Sequence, residues 1–145
     1  MSGNATETQE ARMLVIATLL CSYPGIDATG QAHMEYPPNT FVIPTPDPVM
    51  FPESFYMHCF EKGIDGILIA SCGTDSPYEG SYEQLAARIN TVYAGMRKRG
   101  ISIKRLKLTA ICSVCTKAFL KEVAEMEAVL AELGPVAAEL AAVGA

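Results

Sequence analysis

Three apolar runs punctuate the chain, and each leads to a cysteine. Residues 14–20 lead to Cys21, residues 66–70 lead through Ser71 to Cys72, and residues 106–111 lead to Cys112, with Cys115 close behind. Unbroken apolar runs, unlike alternating ones, mark strands covered on both faces. The pattern predicts strands over residues 13–20, 41–43, 65–71 and 104–111. Between them the apolar spacing turns helical, and helices are expected over residues 53–62, 81–99 and 116–133. Pro52 suits a helix start, Gly63 and Gly100 suit helix ends, and Gly134-Pro135 is a stop signal. Residues 22–40 read as a long connection with room for one helical turn. Residues 44–52 carry four prolines and read as irregular. Strands alternating with helices predict an α/β fold: an open four-stranded parallel sheet with right-handed crossovers and helices on both faces. The expected organisation is a disordered tail over 1–11, one α/β domain over 12–134 and a short Ala-rich C-terminal tail over 135–145. Within that tail, residues 136–143 either form a short extra helix or fray.

A chain of 145 residues suits one domain. At this size folding buries roughly 68–70% of the unfolded surface, so no disulfide is needed for a core. The net charge of −5 and pI near 5.0 argue against nucleic acid as a partner. The basic cluster of Arg97, Lys98, Arg99, Lys104, Arg105 and Lys107 brackets a helix end and a strand start, where the helix dipole favours cations. No apolar run approaches the ~20 residues that span a bilayer. Residues 1–10 lack the basic and apolar regions of a signal peptide. A cytoplasmic protein without a membrane partner is therefore expected. Cysteines there stay reduced and act as metal ligands or redox groups more often than as disulfides.

Ligands of parallel sheets bind beyond the carboxyl ends of the strands. Cys21, Cys72, Cys112 and Cys115 all fall at such ends, which makes them candidate ligands of one centre. Four thiolates suit an iron–sulfur cluster or a structural zinc. Cys112 and Cys115 form a Cys-x-x-Cys pair opening a helix, whose N-terminus favours thiolates. That pair alone would also suit a dithiol redox protein. Cys59 lies among Phe55, Tyr56 and Phe60 and reads as core. His33 and His58 are the two histidines, and no Ser/His/Asp or paired-acid arrangement accompanies them, so general acid–base catalysis has little support. Despite the flavodoxin-like order, there is no Gly-rich phosphate loop, and flavin binding by this chain is not expected. Asp75 and Ser76 suit a turn, and Ser76 offers a hydroxyl to a cluster sulfur. Val49, Met50 and Phe51 either face a partner or pack onto the sheet.

Three stretches form a recognisable series: Cys21-Ser22-Tyr23-Pro24-Gly25-Ile26-Asp27, Glu35-Tyr36-Pro37-Pro38-Asn39, and the run from Phe60 through Gly63-Ile64-Asp65-Gly66 to Ser71-Cys72. The series resembles the delta subunit of methyl-viologen-reducing hydrogenase, the MvhD or hydrogenase iron–sulfur subunit family, over residues 13–107. The resemblance implies a [2Fe-2S] cluster and a role in electron transfer. It implies, as partner, a flavin- and iron–sulfur-containing subunit of a multisubunit oxidoreductase, such as the flavoprotein of heterodisulfide reductase in a flavin-based electron-bifurcating complex. Similar subunits accompany benzoyl-coenzyme A reductase complexes. The family pattern has further cysteines where this chain has Thr18, Leu19 and Leu20, and another where Ser76 stands. Cys112 and Cys115 restore a set of four. Two readings follow: a relocated ligand set, or an assembly subunit that is cluster-free or holds zinc.

Overall fold

A computed structural model describes residues 10–31, 39–111 and 116–143. Four strands, β1 (Met13–Thr18), β2 (Thr40–Thr45), β3 (Gly66–Ser71) and β4 (Leu106–Ala110), pair in the order β2-β1-β3-β4, all parallel. This is the flavodoxin-like arrangement expected from the sequence. Every residue of β1 and β3 is buried, which is why both read as continuous apolar runs.

Among the described residues five α-helices cover the two faces: α1 (Ser22–Gln31), α2 (Glu53–Glu61), α3 (Ser81–Lys98), α4 (Thr116–Leu133) and α5 (Val136–Val143). On one face α2, α3 and α5 enclose Leu14, Ile16, Ile67 and Ile69. On the other, α1 and α4 enclose Val15, Ala17, Leu68 and Ala70. Leu85, Ile89, Val92 and Met96 of α3, and Phe119, Val123, Met126 and Leu130 of α4, recur at helical spacing and are buried. Burial of each such side chain contributes about 1.5–3 kcal/mol. Gly66 lets α4 approach β3, since a Cβ there would stand 2.7 Å from Leu130 Cδ1. Gly63 and Gly100 end α2 and α3 with φ of 95° and 72°, as their sequence positions predict.

Several boundaries differ from the sequence reading. The first strand ends at Thr18, not at residue 20, and Leu19 adds one more bond, from its N–H to Thr45 O. The connection after it holds the full helix α1, in which Pro24 occupies the first turn, where a missing N–H costs nothing. The proline-rich segment is partly regular. Pro44 lies within β2, an edge strand that tolerates proline, and Pro48–Met50 forms a 3₁₀ turn capped by Asp47. Arg88 of α3 donates to the carbonyls of Val49 and Phe51, fastening that turn to the domain. Val49 and Phe51 pack on the core, while Met50 is exposed. Residues 103–105 form a 3₁₀ turn ahead of β4.

The Ala-rich segment is a packed helix. Asp65 accepts from the N–H of Val136 at the start of α5 and from the N–H of Arg12. Arg105, expected in a surface basic cluster, is fully buried instead. Its guanidinium donates to the Glu139 carboxylate (2.9 Å), Asp65 O (3.1 Å) and Gly134 O (2.7 Å), clamping α5 to the sheet. Arg99 and Lys107 pair with Glu61 and Glu122, which removes much of the remaining positive patch. No helix among the described residues is long and apolar enough to cross a membrane.

Removing one partner of a buried pair leaves the other uncompensated. Arg105→Met is expected to cost about 3 kcal/mol in denaturant unfolding, near the low end of that penalty because Glu139 retains some exposure. Tyr56 is fully buried, and desolvation is the main cause that raises its hydroxyl pKa to about 12. The unfolded chain loses that proton near the ordinary value of 10.0, so Tyr56 favours the fold below pH 10 and ceases to as pH rises toward 12. Stability is expected to fall by up to ~1.4 kcal/mol per pH unit in that window, and Tyr56→Phe to flatten the decline.

Candidate metal centre at the reversal of strand order

Strand order reverses between β1 and β3, because β1 continues outward to β2 and β3 outward to β4. Crossovers leave in opposite directions there, which opens a crevice beyond the carboxyl ends of the two strands. Cys21 stands at the entrance to α1, after the turn that follows β1, and Cys72 directly follows β3. The structure joins the two in a disulfide with a Cα–Cα distance of 5.4 Å, across 51 residues of sequence. Reduced thiols were the expectation from sequence, although both cysteines were placed at one edge. Cys112 and Cys115 lie outside the described residues. Chain flanking them is fixed at the same edge: Ile111 is buried and its N–H donates to Ser71 O at 3.2 Å, and Thr116 opens α4.

The donor chemistry fits a metal–sulfur group. Two thiolates on one tetrahedral metal, with bonds of ~2.3 Å, stand roughly 3.8 Å apart. A pair of cysteines close enough to bond in the oxidised state meets that spacing after a small side-chain rotation. Among the described residues no group of three or more His, Cys, Asp or Glu converges, and Cys112 and Cys115 lie outside them.

Backbone geometry around the pair is held by hydroxyls. Ser22 is fully buried, and its Oγ lies 2.9 Å from Ala70 O, 3.3 Å from Ser71 O and 3.2 Å from Ile111 O. Thr18 Oγ1 sits 3.1 Å from it and also donates to Ala70 O. Ser71 Oγ donates to Thr109 O and accepts from Gly73 N–H. Ser76 is committed elsewhere: it donates to Asp47, and Ser81 and the Tyr78 N–H donate to it. It acts as a turn former and not as a donor to sulfur. Sequence reasoning passed over Ser22 and Thr18, since residues 22–40 read as a long connection and the strand as running on to residue 20.

The remaining candidates separate clearly. Cys59 is a free, buried thiol in the α2–α3 face of the core, and burial raises its pKa. It sits near the C-terminal end of α2, a helix returning from the carboxyl end of β2 to the amino end of β3, and so lies toward the opposite edge of the sheet. His58 is exposed on α2, and His33 lies outside the described residues. The rim of the cysteine edge is mixed: Leu19 and Leu20 precede Cys21 and are 43% and 65% exposed, and Tyr78 is exposed in the loop after Cys72, beside exposed Thr74, Asp75 and Glu79. Phe41 and Ile43 are exposed on β2.

Fold and site together define a parallel α/β domain with cysteines gathered at the reversal of strand order. The chain belongs to the family described as methyl-viologen-reducing hydrogenase, delta subunit, which matches residues 13–134. It is 27% identical over 132 residues to the iron-sulfur subunit of the F420-non-reducing hydrogenase of Archaeoglobus profundus, covering 90% of this chain and 96% of that one. It is 29% identical over 122 residues to one subunit of the ferredoxin:CoB-CoM heterodisulfide reductase of Methanosarcina mazei. That match covers 83% of this chain but only 15% of the reductase subunit. The corresponding subunit of the ferredoxin/F420H2-dependent CoB-CoM heterodisulfide reductase of Methanosarcina acetivorans is 28% identical over 121 residues, which are 82% of this chain and again 15% of the reductase subunit.

In metal-free protein held under mild oxidant, peptide mapping is expected to recover Cys21 linked to Cys72. Cys59 should remain a thiol that alkylates slowly at pH 8 and quickly once the chain is unfolded, because burial disfavours the reactive thiolate.

Proposed function

We propose that this chain is an electron-transfer subunit of a multisubunit oxidoreductase, carrying one [2Fe-2S] cluster on Cys21, Cys72, Cys112 and Cys115. The observation that carries this reading is the contact between Cys21 and Cys72 at the reversal of strand order, in a chain of the hydrogenase delta subunit family. Such a cluster exchanges single electrons, with a potential set by burial and by hydrogen bonds to its sulfurs. The chain's own part is to hold the thiolates at one edge and to present that edge to a partner. Leu19, Leu20 and Tyr78 supply the apolar part of its rim, suited to such a contact. The partner proposed is a flavin- and iron–sulfur-containing subunit, in keeping with relatives named as hydrogenase and heterodisulfide reductase subunits. Homology to a segment of much longer reductase subunits supports a domain that works beside other redox modules.

One observation favours a second reading, a cluster-free assembly subunit: the Cys21–Cys72 bond occupies both sulfurs and leaves neither for metal. Anaerobic purification and analysis separate the two. Two irons and two acid-labile sulfides per chain, with visible absorption lost on replacing any of the four cysteines by alanine and kept in Cys59→Ala, are expected. Native purification is expected to bring a flavin-containing partner. Zinc or no metal in anaerobic protein, with the chain still bound to its partner, would establish the assembly reading.

A further inference from the structure

We infer that Ser22 is a positioning residue that sets Cys21 against Cys72 through one buried hydroxyl. The inference rests on reading Cys21 and Cys72 as a working pair. Ser22 is fully buried and adjoins Cys21 in sequence. Its Oγ meets Ala70 O and Ser71 O, the last two carbonyls before Cys72, and Ile111 O, the last before Cys112. Ser71 O closes β3 and also accepts from the Ile111 N–H, and Ile111 O lies just past β4, so the hydroxyl reinforces the ladder where it ends. A hydroxyl has one proton and two lone pairs, so it donates to one carbonyl at a time or is shared among them. Thr18 Oγ1, at 3.1 Å, completes the arrangement by supplying Ala70 O with a second donor.

Three segments distant in sequence thus converge on one atom, and each leads directly to or from a cysteine. An ordinary capping serine bonds N–H groups of its own helix. Ser22 instead turns its hydroxyl toward carbonyls of β3 and of the end of β4, so its bonds fix the height of α1 above the sheet. That height determines how far Cys21 stands from Cys72. Tyr93 makes a useful contrast: its hydroxyl also donates to a strand carbonyl, Leu106 O at 2.8 Å, but at the amino end of β4.

The test uses the full chain with Cys59, Cys112 and Cys115 replaced by alanine, so that only Cys21 and Cys72 can pair. It is equilibrated metal-free in glutathione redox buffers. Oxidised glutathione accepts two electrons and the two thiol protons as the disulfide forms, releasing two reduced glutathiones. Ser22→Ala is expected to weaken pairing at least tenfold, a shift of roughly 30 mV. Ser22→Thr, which restores the hydroxyl, should stay within threefold of the parent. Tyr93→Phe should stay within twofold while losing thermal stability. Pairing in Ser22→Ala within twofold of the parent, with only thermal stability lowered, would overturn the inference and leave Ser22 as fold support. Should Ser22→Ala fail to fold, the comparison of Ser22→Val with Ser22→Thr, its isostere that keeps the hydroxyl, decides. A shift of threefold or more supports the inference, and no shift overturns it. No iron enters the titration, so its outcome is independent of whether the native chain holds a cluster.

Discussion

Parallel pairing of β1 with β3 is the constraint on which the rest depends. Its register, Met13 with Gly66 through Ala17 with Ala70, brings the exits of two strands together although 51 residues of sequence separate their cysteines. Hairpins cannot do this, because antiparallel neighbours leave at opposite ends. A parallel pair buried on both faces needs a crossover on each side, and those crossovers diverge at the point where order reverses. The cysteine edge is therefore a product of topology before any side chain is chosen.

Packing and site are consequently coupled. Residues that fill the two faces alternate along the same strands that lead to Cys21 and Cys72, so a one-residue slip of β1 against β3 would turn that strand's side chains to the wrong faces and shift one cysteine past the other. The far end of the sheet is held differently. There Arg105 and Asp65 collect carbonyls, an N–H of α5 and the N–H of Arg12 into a polar knot. Arg105, Glu139 and Asp65 gather charge at the end away from the cysteines, while the cysteine end is held by the hydroxyls of Ser22, Thr18 and Ser71, with the buried Asp47 beside Ser76 in the neighbouring loop.

Much of the fold was legible because long strands and helices carry strong periodic signals. α3 and α4 fall almost where their apolar spacing puts them, and glycine marked helix ends correctly. The misreadings share one origin: local propensity overruled by tertiary contact. Pro24, Gly25 and Gly30 disguised α1, which the packing of Ile26 and Tyr23 on the sheet makes helical. Pro44 disguised the end of β2, where an edge strand spares it a bonding partner. Arg105 looked like a surface cation because nothing near it in sequence announces Glu139 and Gly134 as its partners. At the site, two cysteines were readable as neighbours from strand ends alone. Ser22 was not, since its acceptors come from β3 and the end of β4, and single-sequence pattern carries no trace of that geometry.

The convergence of Ala70, Ser71 and Ile111 on the Ser22 hydroxyl also bears on the order of events during synthesis. A nascent chain that has emerged only through β3 can bring Cys21 and Cys72 together but has no Ile111 to close the arrangement. Any group needing all four cysteines waits until β4 has docked and α4 has covered it. Loading of any such group would be deferred to a nearly finished domain, and a truncated or stalled product would present a dithiol.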